Sequence, residues 1–181
     1  MRPLGLGWPN VLSLGRIVLI PVVVILLSLE RAESRWLALI VFVVGALSDL
    51  VDGYLARRHS MTTTVGAWLD PLSDKLFVIV PALALSLLDE FPWWATVAIV
   101  LREVAVQVLR WRLDRRGVSM PASRAGKAKT LSQVAAVGLS IAPLPSGLDG
   151  AVLAVIVVAV VLTIVSGLEY VLTDRHRVEP G

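Results

Sequence analysis

The chain of 181 residues contains no cysteine and only two histidines, His59 and His176. The absence of cysteine excludes disulfides, thiolate nucleophiles and zinc–sulfur sites. Two histidines leave little room for a metal site built from imidazoles. Any metal that this chain binds is therefore a hard cation held by oxygen ligands.

Charged residues are also scarce, since they make up 17% of the chain against 56% for hydrophobic residues. The mean hydropathy is +0.79, and a soluble domain of this length rarely departs so far from the usual composition. Several apolar runs have close to the length of about 20 residues that is needed to cross a hydrocarbon core. The composition therefore predicts an all-α, polytopic membrane protein. The formal charge of +3 is small, so the placement of the charges is more informative than their sum.

Six transmembrane helices can be drawn along a single domain that covers residues 1–181. The first apolar run is longer than the core of a signal peptide, and no clear small-x-small cleavage site ends it, so we interpret it as a span. Small residues such as Gly45 would let the helices approach closely. The predicted spans are Val11–Leu29, Trp36–Ala56, Ala67–Leu88, Trp93–Leu113, Ala128–Ala142 and Ala151–Leu172.

Basic residues are concentrated in the connections after the second and fourth spans and at the C-terminus, whereas Arg31 and Arg35 are the only ones in the opposite connections. The positive-inside rule places both termini and the basic loops in the cytoplasm. Trp36, Trp93 and Trp94 fall at the other interface, where aromatic belts lie. We therefore expect a multi-pass protein of the plasma or inner membrane.

Four aspartates lie in the stretch "DLVDGYLARRHSMTTTVGAWLDPLSDK", which begins at residue 49. Asp70 and Asp74 are four residues apart and share one face of a helix. At about 100° per residue, the preceding helix presents two carboxylates, two small side chains and one guanidinium within roughly 140° of arc. The residues of that face are Asp49, Asp52, Gly53, Ala56 and Arg57.

Four facing carboxylates would repel one another strongly, and two divalent cations would relieve the repulsion. Paired metals on oxygen ligands usually serve phosphate or diphosphate chemistry, because substrate oxygens complete the coordination. Gly53 and Ala56 leave room for a substrate, and Arg57 can bind a phosphate in bidentate fashion. A single carboxylate at a membrane border is usually only interfacial, but four on facing sides predict a functional site.

This stretch resembles the signature of the CDP-alcohol phosphatidyltransferases, D-x2-D-G-x2-A-R-x8-G-x3-D-x3-D. "DLVDGYLAR", eight further residues and "GAWLDPLSD" match it without a gap. The resemblance implies six transmembrane helices, a homodimer and an active site near the cytoplasmic interface. It also implies transfer of a CDP-linked group to an alcohol with release of CMP, dependent on two Mg²⁺ or Mn²⁺ ions.

The same resemblance implies roles for individual residues. Asp74 would be the general base as well as a metal ligand. "PNVLSLGR" is similar to the family's P-N-x-L-T-x-x-R, with Ser13 in place of threonine. It adds Asn10 and Arg16 as candidates for nucleotide or phosphate contact, although Asn10 could instead cap a helix. The implied metal ligands are Asp49, Asp52, Asp70 and Asp74, and the implied CDP and diphosphate site also includes Gly53, Ala56, Arg57 and Gly66.

Basic residues in the second half predict an acceptor that is itself anionic. The strings "RE…R" and "S-x-x-GK-x-KT-x-x-Q" look like those of bacterial phosphatidylglycerophosphate synthases, which imply CDP-diacylglycerol and glycerol 3-phosphate as substrates. For Arg102, a purely structural pairing with Glu103 is an alternative. The candidates for binding the acceptor phosphate are Arg102, Arg110, Arg124, Lys127 and Lys129.

Rival interpretations differ in the acceptor or in the class of protein. Inositol phosphate is also anionic and is the main competitor, whereas phosphatidylglycerol and serine are further alternatives. Membrane prenyltransferases also bind diphosphates through Mg²⁺, but their acidic motifs lie far apart in sequence. A cation transporter would need carboxylates near the bilayer centre rather than at one interface. Membrane lipids are expected partners, and nucleic acid is not.

Overall fold

The structure is a computed structural model and describes residues 8–59, 66–115 and 124–178. These residues form six α-helices and a short 3-10 helix, Ser146–Leu148, without any strand among them. Each predicted span falls on one helix, so the all-α prediction is confirmed for this part of the chain. The helices are α1 Trp8–Ser28, α2 Ala32–His59, α3 Gly66–Leu87, α4 Trp93–Arg115, α5 Arg124–Ile141 and α6 Asp149–Val178.

Two helices begin four residues earlier than the apolar pattern predicts. Helix α5 starts at Arg124 rather than Ala128, and α2 starts at Ala32 rather than Trp36. Arginine, lysine and alanine are good helix formers, so the helices extend past the apolar residues that define the predicted spans. In α2, Glu33 lies in the first turn, where a carboxylate interacts favourably with the helix dipole.

Tight turns join the first two helices and the third and fourth. Glu30 and Asp89 adopt left-handed backbone conformations with φ of 52° and 59°. After α3, the Glu90 amide donates to the Leu85 carbonyl at 2.9 Å and the Asp89 amide to the Ser86 carbonyl at 3.2 Å. This is the hydrogen-bond pattern of a Schellman motif. It stops α3 and reverses the chain into α4.

Helices α3 and α5 each pack against three others. Helix α3 contacts α1, α4 and α5, and α5 contacts α2, α3 and α6, while α6 also packs against α4. The rings of Phe42 in α2 and Phe77 in α3 stack with their centroids 5.1 Å apart. A Cβ placed on Gly45 would lie 2.3 Å from Cζ of Phe77. Gly45 therefore leaves the space that the Phe77 ring occupies, and a larger side chain at this position would meet the ring.

Apolar side chains also cover the outer surface. Within the described residues, the segment Ser146–Tyr170 is the one helix long and apolar enough to cross a membrane, and Leu14–Ser28 is a shorter apolar helix. The outer faces of the other helices carry large apolar groups as well. Examples with at least half of their surface exposed are Val18, Ile25, Ile40, Leu101, Leu131 and Leu168.

Candidate active site

The signature aspartates are carried by consecutive helices. Asp49 and Asp52 lie in α2, and Asp70 and Asp74 lie in the first half of α3. Of these four, Asp74 is the one whose side chain belongs to the described part of the structure. Six further predicted site residues also have side chains outside the described part of the structure: Asn10, Gly53, Ala56, Arg57, Gly66 and Arg124.

Asp74 contacts another predicted site residue. Nη1 of Arg16 in α1 donates to Oδ1 of Asp74 in α3. The Arg16 side chain is 4% exposed, whereas that of Asp74 is 43% exposed. The ion pair joins α1 to α3, and the Asp74 carboxylate lies at the more exposed end of this contact.

A second group of charges surrounds Glu103 in α4. Nη1 of Arg102 lies 3.1 Å from Oε1 of Glu103, and Nζ of Lys129 in α5 donates to the same oxygen. The three side chains are at most 10% exposed. The alternative pairing of Arg102 with Glu103 is thus present, but Lys129 joins it. One carboxylate contacts two cations, so the group keeps a positive charge.

Helix α6 contacts two arginines of α4, Arg102 and Arg110. Nη2 of Arg102 donates to Oγ of Ser166 at 2.9 Å, and Nη2 of Arg110 donates to the hydroxyl of Tyr170. The guanidinium carbons of Arg110 and Arg102 lie 5.0 Å and 6.0 Å from the centroid of the Tyr170 ring. Both distances are within the range of cation–π attraction. We call Arg102, Arg110 and Lys129 the basic cluster.

Two further features describe the surroundings of the arginines in the basic cluster. The Nε atoms of Arg102 and Arg110 are buried and have no hydrogen-bond partner among the described residues. A Cβ on Gly167 of α6 would lie 3.2 Å from Cγ of Arg102, so a larger side chain there would press on the arginine. The guanidinium groups are held in place while part of their hydrogen-bonding capacity is unused within the described structure.

The structure does not bring all predicted acceptor residues together. Lys127 of α5 is exposed, and no hydrogen bond or ion pair joins it to another described residue. Lys127 and Lys129 are two residues apart, so they point to different sides of the helix. In the described part of the chain, Lys129 is therefore the α5 residue that belongs to the basic cluster.

Metal binding by the aspartates stays a prediction. Among the described side chains, no group of three or more acidic or histidine residues could hold an ion, and that search reaches Asp74 alone of the four aspartates. The chemistry of the donors fits Mg²⁺ or Mn²⁺, because four carboxylates supply the hard oxygen ligands that these ions prefer.

Sequence reasoning missed the contribution of α6. Ser166 and Tyr170 contact arginines that are 60 or more residues away along the chain, and no short-range spacing links them. The one available signal was the presence of a tyrosine, one of two in the chain, near the end of a strongly apolar segment. Polar tips of buried tyrosines usually find a hydrogen-bond partner.

A comparison with known proteins identifies the class. The family model "CDP-alcohol phosphatidyltransferase" matches residues 6–165, and the chain belongs to this family. It is 40% identical over 165 residues to a "Probable phosphatidylglycerophosphate synthase" of Mycobacterium tuberculosis, covering 90% of this chain and 78% of the relative. It is 36% identical over 175 residues to the "CDP-diacylglycerol–glycerol-3-phosphate 3-phosphatidyltransferase" of Escherichia coli K12, covering 92% and 94%. A protein of the same name from Rickettsia typhi is 36% identical over 168 residues, covering 90% and 93%. The predicted family is confirmed.

Proposed function

We propose that this protein transfers the phosphatidyl group of CDP-diacylglycerol to glycerol 3-phosphate, producing phosphatidylglycerophosphate and CMP. Family membership supports the reaction type, and the names of the relatives support this donor and this acceptor. The observation from the structure that carries the acceptor assignment is the basic cluster. A neutral alcohol would not need a cluster of three cations in which a single carboxylate, Glu103, contacts two of them, whereas a phosphate would neutralise the cluster.

The donor site lies at the signature. Asp49, Asp52, Asp70 and Asp74 would hold two Mg²⁺ or Mn²⁺ ions, which neutralise diphosphate charge when bound. Arg57 would bind a phosphate of the donor in bidentate fashion. Small residues would let the nucleotide and diphosphate approach the backbone, and two N-terminal residues would add contacts to them. These residues are Gly53, Ala56, Gly66, Asn10 and Arg16.

Asp74 would act as the general base. Its carboxylate would take the proton of the attacking hydroxyl of glycerol 3-phosphate, and that oxygen would form the new bond to the lipid-linked phosphorus. The bond from this phosphorus to the CMP oxygen breaks, and CMP leaves with its electron pair. Arg16 would orient the carboxylate, because their contact fixes one of the two carboxylate oxygens.

The basic cluster would orient the acceptor. Arg102, Arg110 and Lys129 would bind its phosphate, and fixing that end reduces the freedom of the hydroxyl that attacks. Arg124 and Lys127 would contribute to the same phosphate from the start of α5. Glu103 and Tyr170 hold the cations in position.

The proposed setting is the plasma or inner membrane, crossed six times, with both termini and the active site on the cytoplasmic side. The support is the apolar outer surface of the helices together with the placement of the basic residues. The two acyl chains of the donor would remain among membrane lipids while the headgroup reacts. The homodimer rests on the family resemblance.

Release of CMP from CDP-diacylglycerol tests the proposal directly. The purified protein is supplied in turn with glycerol 3-phosphate, inositol phosphate, phosphatidylglycerol and serine, each with Mg²⁺, with Mn²⁺ and with EDTA. We expect CMP release with glycerol 3-phosphate, loss of release in EDTA and recovery when the metal is restored. Faster release with inositol phosphate, or full activity in EDTA, would contradict the acceptor or the metal assignment respectively.

A further inference from the structure

Lys75 of α3 is a cation next to the proposed site that neither the signature nor the acceptor strings include. Its Nζ donates to Oε1 of Gln107 in α4. Gln107 is four residues after Glu103 and three before Arg110, so these three residues share one face of α4. Lys75 therefore extends from α3 toward the face of α4 on which the basic cluster is built.

Lys75 and the basic cluster approach the same part of α4. The amide that accepts the Lys75 hydrogen bond, Gln107, lies between Glu103 and Arg110 in the sequence of α4. Arg102 and Lys129 contact Glu103, and Lys75 reaches the same face of α4 through Gln107, so cations from three helices gather there. Since Gln107 is neutral, its hydrogen bond does not compensate the added charge. Gathered cations of this kind are stabilised by a bound anion.

We propose that Lys75 is a further binding residue for the acceptor, and that its ammonium contacts the acceptor phosphate from the α3 side. This inference rests on the proposed function. Lys75 directly follows Asp74 in the sequence, whereas Asp74 contacts α1 and Lys75 contacts α4. The two adjacent residues thus connect the proposed base to the phosphate site. An ammonium on a flexible stem has three donors, so it can bind Gln107 and a phosphate oxygen together.

The test is a steady-state comparison of the wild type with Lys75→Gln and Lys75→Arg, varying each substrate separately. Removal of one charge-assisted hydrogen bond predicts a rise of about tenfold in the KM for glycerol 3-phosphate. We expect the KM for CDP-diacylglycerol and kcat to change by less than about twofold. Lys75→Arg keeps the charge and should recover most of the acceptor affinity. Its recovery also shows that the position tolerates substitution if Lys75→Gln folds poorly.

Arg115→Gln is the matched control. Arg115 is an exposed cation near the end of α4 that stacks on Trp111, 3.5 Å from its centroid. Its loss removes the same charge outside the basic cluster and should leave the KM for glycerol 3-phosphate unchanged. An equal rise in this variant would mean that net charge alone attracts the acceptor, which would overturn the assignment.

Other outcomes also overturn the role of Lys75. They are an unchanged acceptor KM in Lys75→Gln, a fall in kcat alone, or an equal rise in both KM values. If the proposed function itself is wrong, the result is different, because the wild type would then release no CMP with glycerol 3-phosphate. In that case the same variants are measured with the anionic acceptor that does support release. If none does, both proposals are wrong.

Discussion

The guanidinium of Arg16 in α1 contacts the carboxylate of Asp74 in α3, although 58 residues separate them in the chain. Arg16 is buried, and Asp74 is partly open to its surroundings. The contact connects the N-terminal "PNVLSLGR" segment to the last aspartate of the signature. The two segments are therefore in contact, and we expect the orientation of the proposed base to depend on a helix outside the signature.

Asp74→Asn should lower kcat by a factor of about 10² to 10⁴, the usual contribution of a general base. The amide keeps the shape of the carboxylate but cannot accept the proton. Initial rates of CMP release at saturating substrate measure the effect. Asp89→Asn is the matched control, since Asp89 is exposed after the other end of α3 and asparagine tolerates its positive φ. Full activity in Asp74→Asn would exclude Asp74 as the base.

Glu103→Gln should destabilise the protein far more than the same change at another ion pair. Glu103 is buried and contacts Arg102 and Lys129, so its loss leaves two buried cations without their carboxylate. Breaking a buried pair in this way costs about 3–5 kcal/mol. Unfolding in detergent, followed by circular dichroism, measures the change in free energy.

Glu90→Gln is the control for Glu103→Gln. Glu90 pairs with Arg35, but its side chain is 38% exposed, so the loss should be about 0–1 kcal/mol. The double variant Glu103→Gln with Lys129→Met should be destabilised by less than the sum of the single changes, because the partners interact directly. Equal losses in the two glutamine variants would show that the buried pair has no special importance for stability.

The sequence predicts which residues form helices better than it predicts which helices contact one another. Apolar runs of the right length located the six helices of the described residues, whereas the shared face of Asp70 and Asp74 stays a prediction of the i to i+4 rule. Those rules describe a single helix. They cannot show that Tyr170 lies beneath two arginines of α4, because that contact depends on how α4 and α6 pack. Lys75 was overlooked for the same reason, since its partner is on another helix.

Gly45→Ala should destabilise the α2–α3 contact. The added methyl would lie well inside contact distance of the Phe77 ring, and that ring is itself stacked on Phe42. Overpacking of this kind usually costs about 1–3 kcal/mol, measured as above by unfolding in detergent. Phe77→Leu in the Gly45→Ala background should recover part of the loss, because it removes the atoms that clash. Gly15→Ala is the control, since no atom lies within 4 Å of a Cβ placed there. Comparable losses in the two alanine variants would contradict the steric explanation.

The absence of native cysteine makes the proposed topology directly measurable. Glu33→Cys places a thiol at the exposed start of α2, and His176→Cys places one near the C-terminal end of α6. Five spans would separate the two positions, so they should lie on opposite sides of the membrane. A membrane-impermeant maleimide should label Glu33→Cys in intact cells and label His176→Cys only after permeabilisation. Labelling of both from outside would mean an even number of spans between them, and the reverse pattern would place the basic loops and the active site on the outer face.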